Sequence, residues 1–285
     1  MTAPTHEPLA HKQLARAKVN LTLHVGQTIK DPSDPFFGYH PLDSLVVFAD
    51  FGDELEMFSA EETTLSIGGP YGEGLTANDD NLILRALMAA NAGPQNVRLE
   101  KRLPVSAGIG GGSANAAAIL RMCGAHDLHM AVSLGADVPV CLRSETAHMT
   151  GIGEDVTPLS DMGQLQALLV NPGIAVSTAS IFKAFDAAKN IRETPRPMKT
   201  SGDLLLRALD GRNDLEPIAI AQAPVIGDVL RTLASQNGCQ LARMSGSGAT
   251  CFGIFESGRA LRKAEAAIQA QAPDWWCKAV FLGDT

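Results

Sequence analysis

Pro104–Ala118 reads PVSAGIGGGSANAAA, a glycine run passing straight into small helix-forming residues, and its reading decides the fold. Gly108, Gly110, Gly111 and Gly112 strip the Cβ atoms from a tight turn, so backbone N–H groups can converge on one concavity. Ser113 stands where a helix N-cap is expected. The helix beginning there would offer unpaired amides and the positive end of its dipole to an anion. Val97 and Leu99 mark a strand ahead of the loop, with Pro104 between the two. Phosphate is the ligand this geometry suits. No Gly-Lys-Ser/Thr follows the glycines, so the loop is not a Walker A motif, and Ser113 occupies the last glycine position of the dinucleotide fingerprint. On the glycines alone, a flexible turn before an alanine-rich packing helix stays open.

Outward from the loop, the first half is rich in strands. In Leu14–Val25, Val19, Leu21, Leu23 and Val25 alternate with Lys18, Asn20, Thr22 and His24, the period of a half-buried strand. Ser44–Phe51, Leu55–Phe58, Thr63–Ile67 and Asn96–Arg102 read as further strands, and Asn81–Asn91 as a helix with Asp79 and Asp80 at its start. Ser113–Met122 is a helix stopped by Gly124. His148–Leu159 is hairpin-like around Gly151–Gly153. A boundary near Ser160–Gly163 divides residues 1–162 from residues 163–285. Beyond it come a strand (Leu165–Val170) and three helices (Ser177–Ala187, Thr200–Asp210, Pro224–Gln236). Two strands flanking SGSG follow (Gln240–Met244, Thr250–Phe255), then a helix (Arg259–Ala270) and a closing strand (Trp275–Leu282). Without the two middle helices this order is βαββαβ, the ferredoxin-like unit. The expected class is α+β, in two domains with a cleft between them.

The chain has 285 residues, room for one large or two ordinary domains, and its composition is that of a soluble globular protein. No apolar run has the length of a membrane span, and Met1–Lys12 lacks a signal-peptide core and reads as a short frayed tail. Five scattered cysteines without C-x-x-C spacing point to reduced thiols in the cytoplasm. A net charge of −8 argues against a nucleic-acid partner while leaving room for a small phosphorylated ligand. His126 and His129 share a helical spacing but lack a third ligand, and read as surface residues.

Chemistry concentrates at a few positions. Lys18 and Asn20 share one face of a strand; they either face water or, given the apolar Ala15, Ala17 and Val19, set an ammonium against a phosphoryl group. Asp137, in the small apolar setting LGADVPVCL, either caps a helix or accepts a proton from a substrate hydroxyl. Ser245-Gly246-Ser247-Gly248 is either a long hairpin turn or a second phosphate-facing loop. Tyr39, in Gly38-Tyr39-His40, either packs or stacks on a planar base.

Together AKVNLTLHV, GYHPLDSLVVF, LPVSAGIGGGSANAAAIL, SLGADVPVCL, the GIGE turn, STASIF, NDLEP and RMSGSGATCFGIF resemble the GHMP small-molecule kinases over most of the chain. Within them the resemblance is to the branch that phosphorylates a cytidyl diphosphate alcohol of non-mevalonate isoprenoid synthesis. It implies an N-terminal ribosomal-protein-S5-like domain, a C-terminal ferredoxin-like domain, and transfer of the γ-phosphoryl of ATP, with Mg²⁺, to the alcohol's 2-hydroxyl. Asp137 falls at the family's general-base position and Lys18 at its catalytic-lysine position. The ATP loop falls on Pro104, Val105, Ser106, Ala107, Gly108, Ile109, Gly110, Gly111, Gly112, Ser113 and Ala114. Substrate positions are Asn20, Tyr39, His40, Thr178 and Phe182, with Phe182 on the face of the cytosine opposite Tyr39. The metal ligands are not identifiable, Ser113 being a candidate alone. No nucleic acid or membrane is implied, and a monomer or weak homodimer is expected. The sequence departs from the family where Phe37 replaces an aspartate after a longer loop, Lys30–Phe36, where Ala114 replaces a second serine, and at Val105-Ser106. Homoserine, mevalonate or a sugar are alternative acceptors. Other readings are a non-catalytic nucleotide-binding module, disfavoured by Lys18 and Asp137 together, and a dinucleotide-dependent oxidoreductase, disfavoured by Ser113.

Overall fold

The structure, a computed structural model, describes residues 11–188, 193–198 and 201–284. β1 (His11–Asn20) and β2 (His24–Val25) both pair antiparallel with β3 (Leu42–Ser59). The two strands expected over Ser44–Phe51 and Leu55–Phe58 are one. Gly52 serves close approach rather than a turn, since a Cβ there would lie 2.0 Å from the Ala15 carbonyl oxygen. Asp53 stays inside the strand, fully buried, because Lys101 pairs with it. β1 also differs from the expected Leu14–Val25. It opens at His11, opposite Met57, so His11 and Lys12 are no tail; Met1–Ala10 lies outside the described residues. It closes at Asn20, beyond which the Thr22 hydroxyl takes the Leu45 N–H.

β4 (Thr64–Gly68), α1 (Leu82–Ala89) and β5 (Gln95–Glu100) follow, with β5 antiparallel to β3 and parallel to β4. Asn81 caps α1, leaving Asp79 and Asp80 ahead of the helix rather than in its first turn. α2 (Gly111–Met122) starts before the expected Ser113: its N-cap is Gly110, at φ +66°, and Ser113 is its third residue. The left-handed glycine turns the chain into the helix early, which a residue with a Cβ resists. Buried Ala114 and Ala116–Ala118 let α2 lie close on its neighbours. α3 (Leu128–Leu134), α4 (Val138–Arg143) and the hairpin β6 (Ala147–Thr150)–β7 (Asp155–Pro158) complete this half, the hairpin as expected.

The second half contains β8 (Gln164–Asn171), α5 (Thr178–Asp186), α6 (Leu204–Asp210), α7 (Glu216–Gln222), α8 (Val225–Ala234), β9 (Cys239–Met244), β10 (Cys251–Phe255), α9 (Gly258–Gln271) and β11 (Trp276–Gly283). Its strands lie in the antiparallel order β11-β8-β10-β9, the ferredoxin-like sheet that the βαββαβ reading requires. α6 begins later than expected because Asp203 caps it; Thr200 lies outside the described residues. α7 is unforeseen; it carries Pro217 in its first turn, where proline sacrifices no hydrogen bond.

The halves are fastened through β3. Leu282 of β11 pairs with Ala49, and one apolar layer takes Val19, Leu45 and Val47 from the first half and Leu169, Phe252 and Val280 from the second. The architecture is the expected α+β pair of units with a cleft between them. Among the described residues no helix is long and apolar enough to cross a membrane.

Candidate active site

The cleft encloses about 1460 Å³, lined by residues of both halves. The glycine loop forms one wall. A Cβ on Gly108 would lie 2.5 Å from the Ser245 carbonyl oxygen and 2.6 Å from that of Gly248, so the two glycine loops press backbone against backbone. Ser245 cements the contact: its hydroxyl donates to the Gly108 carbonyl (3.1 Å) and accepts from Asn20 N–H (3.1 Å). Ser245 and Gly248 thus serve this packing, and Gly246 and Ser247 line the cleft. In the first loop the side chains of Ile109 and Ala114 sit in the core, while Pro104–Gly108 and Gly110–Ser113 line the cleft. The bare backbone of this wall fits a polyphosphate, which side chains would crowd out.

Lys18 lies on the floor. The register of β1 on β3 shifts between Arg16 and Lys18, and such an irregularity re-aims a strand side chain. Lys18 is 3% exposed and passes Gly110, where a Cβ would come within 3.2 Å of Lys18 Cβ. Its amine donates to Asn20 Oδ1 at 2.8 Å and stands 3.1 Å from Asp137 Oδ2. Asn20 donates in turn to Ser44 Oγ (2.8 Å), which fixes its amide with the oxygen toward Lys18. The strand's polar face therefore looks into the cleft and not into water. Asp137 holds the N-cap position of α4, yet its side chain caps nothing. Its carboxylate, 37% exposed, is left for the cleft.

At the far end His40 is buried, with Nδ1 3.0 Å from the Gly26 carbonyl oxygen and its ring centroid 4.9 Å from that of Phe182. Tyr39 stands half out of the cleft mouth. Phe37, in the aspartate's place, is exposed, and the longer loop still closes properly: Ile29 N–H donates to the Tyr39 carbonyl and Gly38 N–H to that of Ile29. Thr178 Oγ1 lies 2.8 Å from Ser247 Oγ, joining α5 to the second glycine loop. His126 and His129 are exposed, as expected of surface histidines.

The sequence reading misses Lys101, Asp53 and Asn115. Lys101 lines the cleft and donates to Asp53 Oδ2 and the Leu103 carbonyl, each at 2.7 Å; Asp53 Oδ1 accepts from the N–H groups of Arg102 and Leu103. Burial lowers the Lys101 pKa against the pull of Asp53. A lysine one residue past a strand, next to an arginine, carries no signal of burial in the sequence. Nearer the floor, burial and then the Asp137 charge push the Cys141 thiol up to about 12.

Comparison with known proteins gives the family. Residues 81–153 match the model of the GHMP kinases N terminal domain and residues 179–274 that of the GHMP kinases C terminal. A Paracoccus denitrificans protein named 4-diphosphocytidyl-2-C-methyl-D-erythritol kinase is 47% identical over 280 residues, covering 96% of this chain and 98% of its own. A Cereibacter sphaeroides protein of the same name is 46% identical over 274 residues, covering 92% and 95%. The chain belongs to the 4-diphosphocytidyl-2-C-methyl-D-erythritol kinase family. A crystal structure of 4-(cytidine 5'-diphospho)-2C-methyl-D-erythritol kinase superposes with a TM-score of 0.73 at 31% identity, covering 96% of this chain and all of its own. Homoserine kinase from Cytophaga hutchinsonii, at 17% identity and TM-score 0.59, shares the fold.

Proposed function

We propose that this member of the family transfers the γ-phosphoryl of ATP to the 2-hydroxyl of 4-diphosphocytidyl-2-C-methyl-D-erythritol, with Lys18 and Asp137 as its catalytic pair. The observation that carries the assignment is their 3.1 Å approach beside Gly110. Asp137 accepts the hydroxyl proton as the oxygen attacks the γ-phosphorus, and the bond to the β–γ bridging oxygen breaks, releasing ADP. Lys18, held by Asn20, neutralises the charge that develops on the transferring group. Backbone amides of Pro104–Ala114 and the start of α2 hold the polyphosphate, with Gly246 and Ser247 opposite. The cleft exceeds the several hundred to about 1,000 Å³ of a one-ligand pocket, which suits two substrates side by side.

Tyr39, His40 and Phe182 form the cytosine end, and Asn20 and Thr178 meet the rest of the alcohol. Mg²⁺, where bound with the nucleotide, would supply charge neutralisation. Among the described residues no group of three His, Cys, Asp or Glu gathers as a metal site. The Ser113 hydroxyl, which lines the cleft, would be the candidate protein ligand, in keeping with the magnesium habit of keeping few protein ligands. The division of the chain at 162/163 belongs to the same reading and is supported by the family matches falling on either side of it. Free cysteines support a cytoplasmic enzyme, acting as a monomer or weak homodimer.

A coupled ADP-release assay tests the assignment. Release is expected with the cytidyl diphosphate alcohol and not with homoserine or mevalonate, and it is expected to collapse in Lys18→Ala. Equal turnover of homoserine or mevalonate, or full activity in Lys18→Ala, overturns it.

A further inference from the structure

α5 ends on a carboxylate. Asp186 is its last residue, where unpaired helix carbonyls disfavour an acid, so the helix by itself gives no reason for one. The side chain is half-buried and lines the cleft, and among the described residues it pairs with no lysine or arginine. Its partners lie instead at the base of the loop that carries Tyr39. The Thr28 hydroxyl donates to Asp186 Oδ1, and the same oxygen stands 3.5 Å from His40 Nε2. Thr28 Oγ1 lies 3.3 Å from that nitrogen, which closes a triangle of three side chains.

Thr28 and His40 are the two stems of one loop, residues 29–39. The stems already hold each other. Gly26 N–H donates to the Pro41 carbonyl at 2.8 Å, and Ile29 N–H to the Tyr39 carbonyl at 2.8 Å. His40 Nδ1 faces the Gly26 carbonyl oxygen at 3.0 Å and carries a hydrogen there, because a carbonyl only accepts. These bonds close the loop without seating it on the second half of the chain. Its outer residues Phe37 and Tyr39 are exposed. Against α5 the loop has two ring contacts, His40 with Phe182 at 4.9 Å and with Phe185 at 5.8 Å. Ring pairs tolerate a range of offsets, whereas a hydrogen bond weakens steeply when its angle changes.

We propose that Asp186 is a positioning residue for the cytidyl end of the cleft: through Thr28 and His40 it fastens both stems of the 29–39 loop to α5, and so seats Tyr39 and His40 against the helix that bears Phe182. Asp186 need not touch the substrate for this, and it takes no part in phosphoryl transfer. The role rests on the placement of cytosine given above and adds what holds that end together.

Calorimetric titration of the full chain with cytidine diphosphate, and separately with a non-hydrolysable adenosine triphosphate analogue, tests it. Asp186→Ala is expected to lose about tenfold in cytidine diphosphate affinity, Thr28→Val about threefold, and the double variant no more than Asp186→Ala alone. Affinity for the adenosine analogue is expected to stay within about twofold in all three. In steady-state assays KM for the cytidyl diphosphate alcohol is expected to rise by the same factors at unchanged kcat. Losses that multiply in the double variant overturn the pairing of Thr28 with Asp186. Parallel losses for both nucleotides mark a structural acid and overturn the positioning role, as does wild-type affinity in Asp186→Ala. Failure of the wild-type chain to bind cytidine diphosphate overturns it too. Binding that depends on Asp186, in a chain that fails the ADP-release assay, sinks the kinase assignment and leaves the clamp standing.

Discussion

Lys18 Nζ and Asp137 Oδ2 stand 3.1 Å apart with unequal access to water: the lysine side chain is 4% exposed and the aspartate 37%. The amine is locked by Asn20 and the wall of Gly110, while the carboxylate can turn toward an incoming hydroxyl. Asp137→Asn keeps the shape and removes the base. Turnover is expected to fall by about 10²–10⁴-fold, with ATP affinity within a few-fold of wild type. Single-turnover ADP release beside equilibrium ATP titration checks both, and near-wild-type turnover removes Asp137 from the chemistry.

Phe182 meets the His40 ring at a 35° tilt. Loss of one stacking face costs about 1–3 kcal/mol. Phe182→Ala is therefore expected to raise KM for the cytidyl alcohol roughly tenfold and to leave KM for ATP alone. Equal changes in both KM values contradict the placement of cytosine at this end.

Asp53 and Lys101 form an ion pair with both side chains buried. Asp53→Asn strands the Lys101 cation and is expected to destabilise by about 3–5 kcal/mol. The double change Asp53→Leu with Lys101→Met is expected to recover much of that. Urea unfolding of the three proteins measures it, and an Asp53→Asn loss below 1 kcal/mol speaks against the pair as a structural element.

The Cys141 thiol, pushed up to about 12 in the folded chain, titrates near 8.5 once unfolded. The native state keeps a proton that the unfolded state sheds, so stability falls as pH rises above about 8.5, by roughly 2 kcal/mol at pH 10. Urea midpoints at pH 7.5 and pH 10 are expected to drop less in Cys141→Ala than in wild type. Cys277, raised to about 11, and Cys251, raised well above the ordinary thiol value by its burial, persist in both proteins, so the difference isolates Cys141. An identical drop in the two proteins argues against its burial as a thiol.

The second half of the fold was legible because its signals are local. Apolar periods and the turn-prone stretches between them suffice to write βαββαβ. Reading failed where one residue type serves two purposes. The strand expected to break between Phe51 and Leu55 runs on through Gly52, residues 216–222 form a helix that the reading left unassigned, and Ser113, read as a cap, follows the cap Gly110. Among the candidate site residues, those in glycine loops and a strand face could be named from type and spacing. Lys101 and Asn115 could not, since nothing nearby in the chain marks them as enclosed.

By itself the order of residues determined the α+β class and marked a glycine-rich loop suited to an anion, both properties of short segments and their backbone preferences, while Lys18 and Asp137 were singled out from their alternatives by family resemblance. Tertiary packing alone decided that Lys18 meets Asp137, that Asp53 neutralises Lys101, and that the Asn115 oxygen has no partner. Contact and enclosure depend on where β1, β3, β5, α2 and α4 converge, and a charge or an amide acquires its energy from that enclosure rather than from its neighbours in sequence.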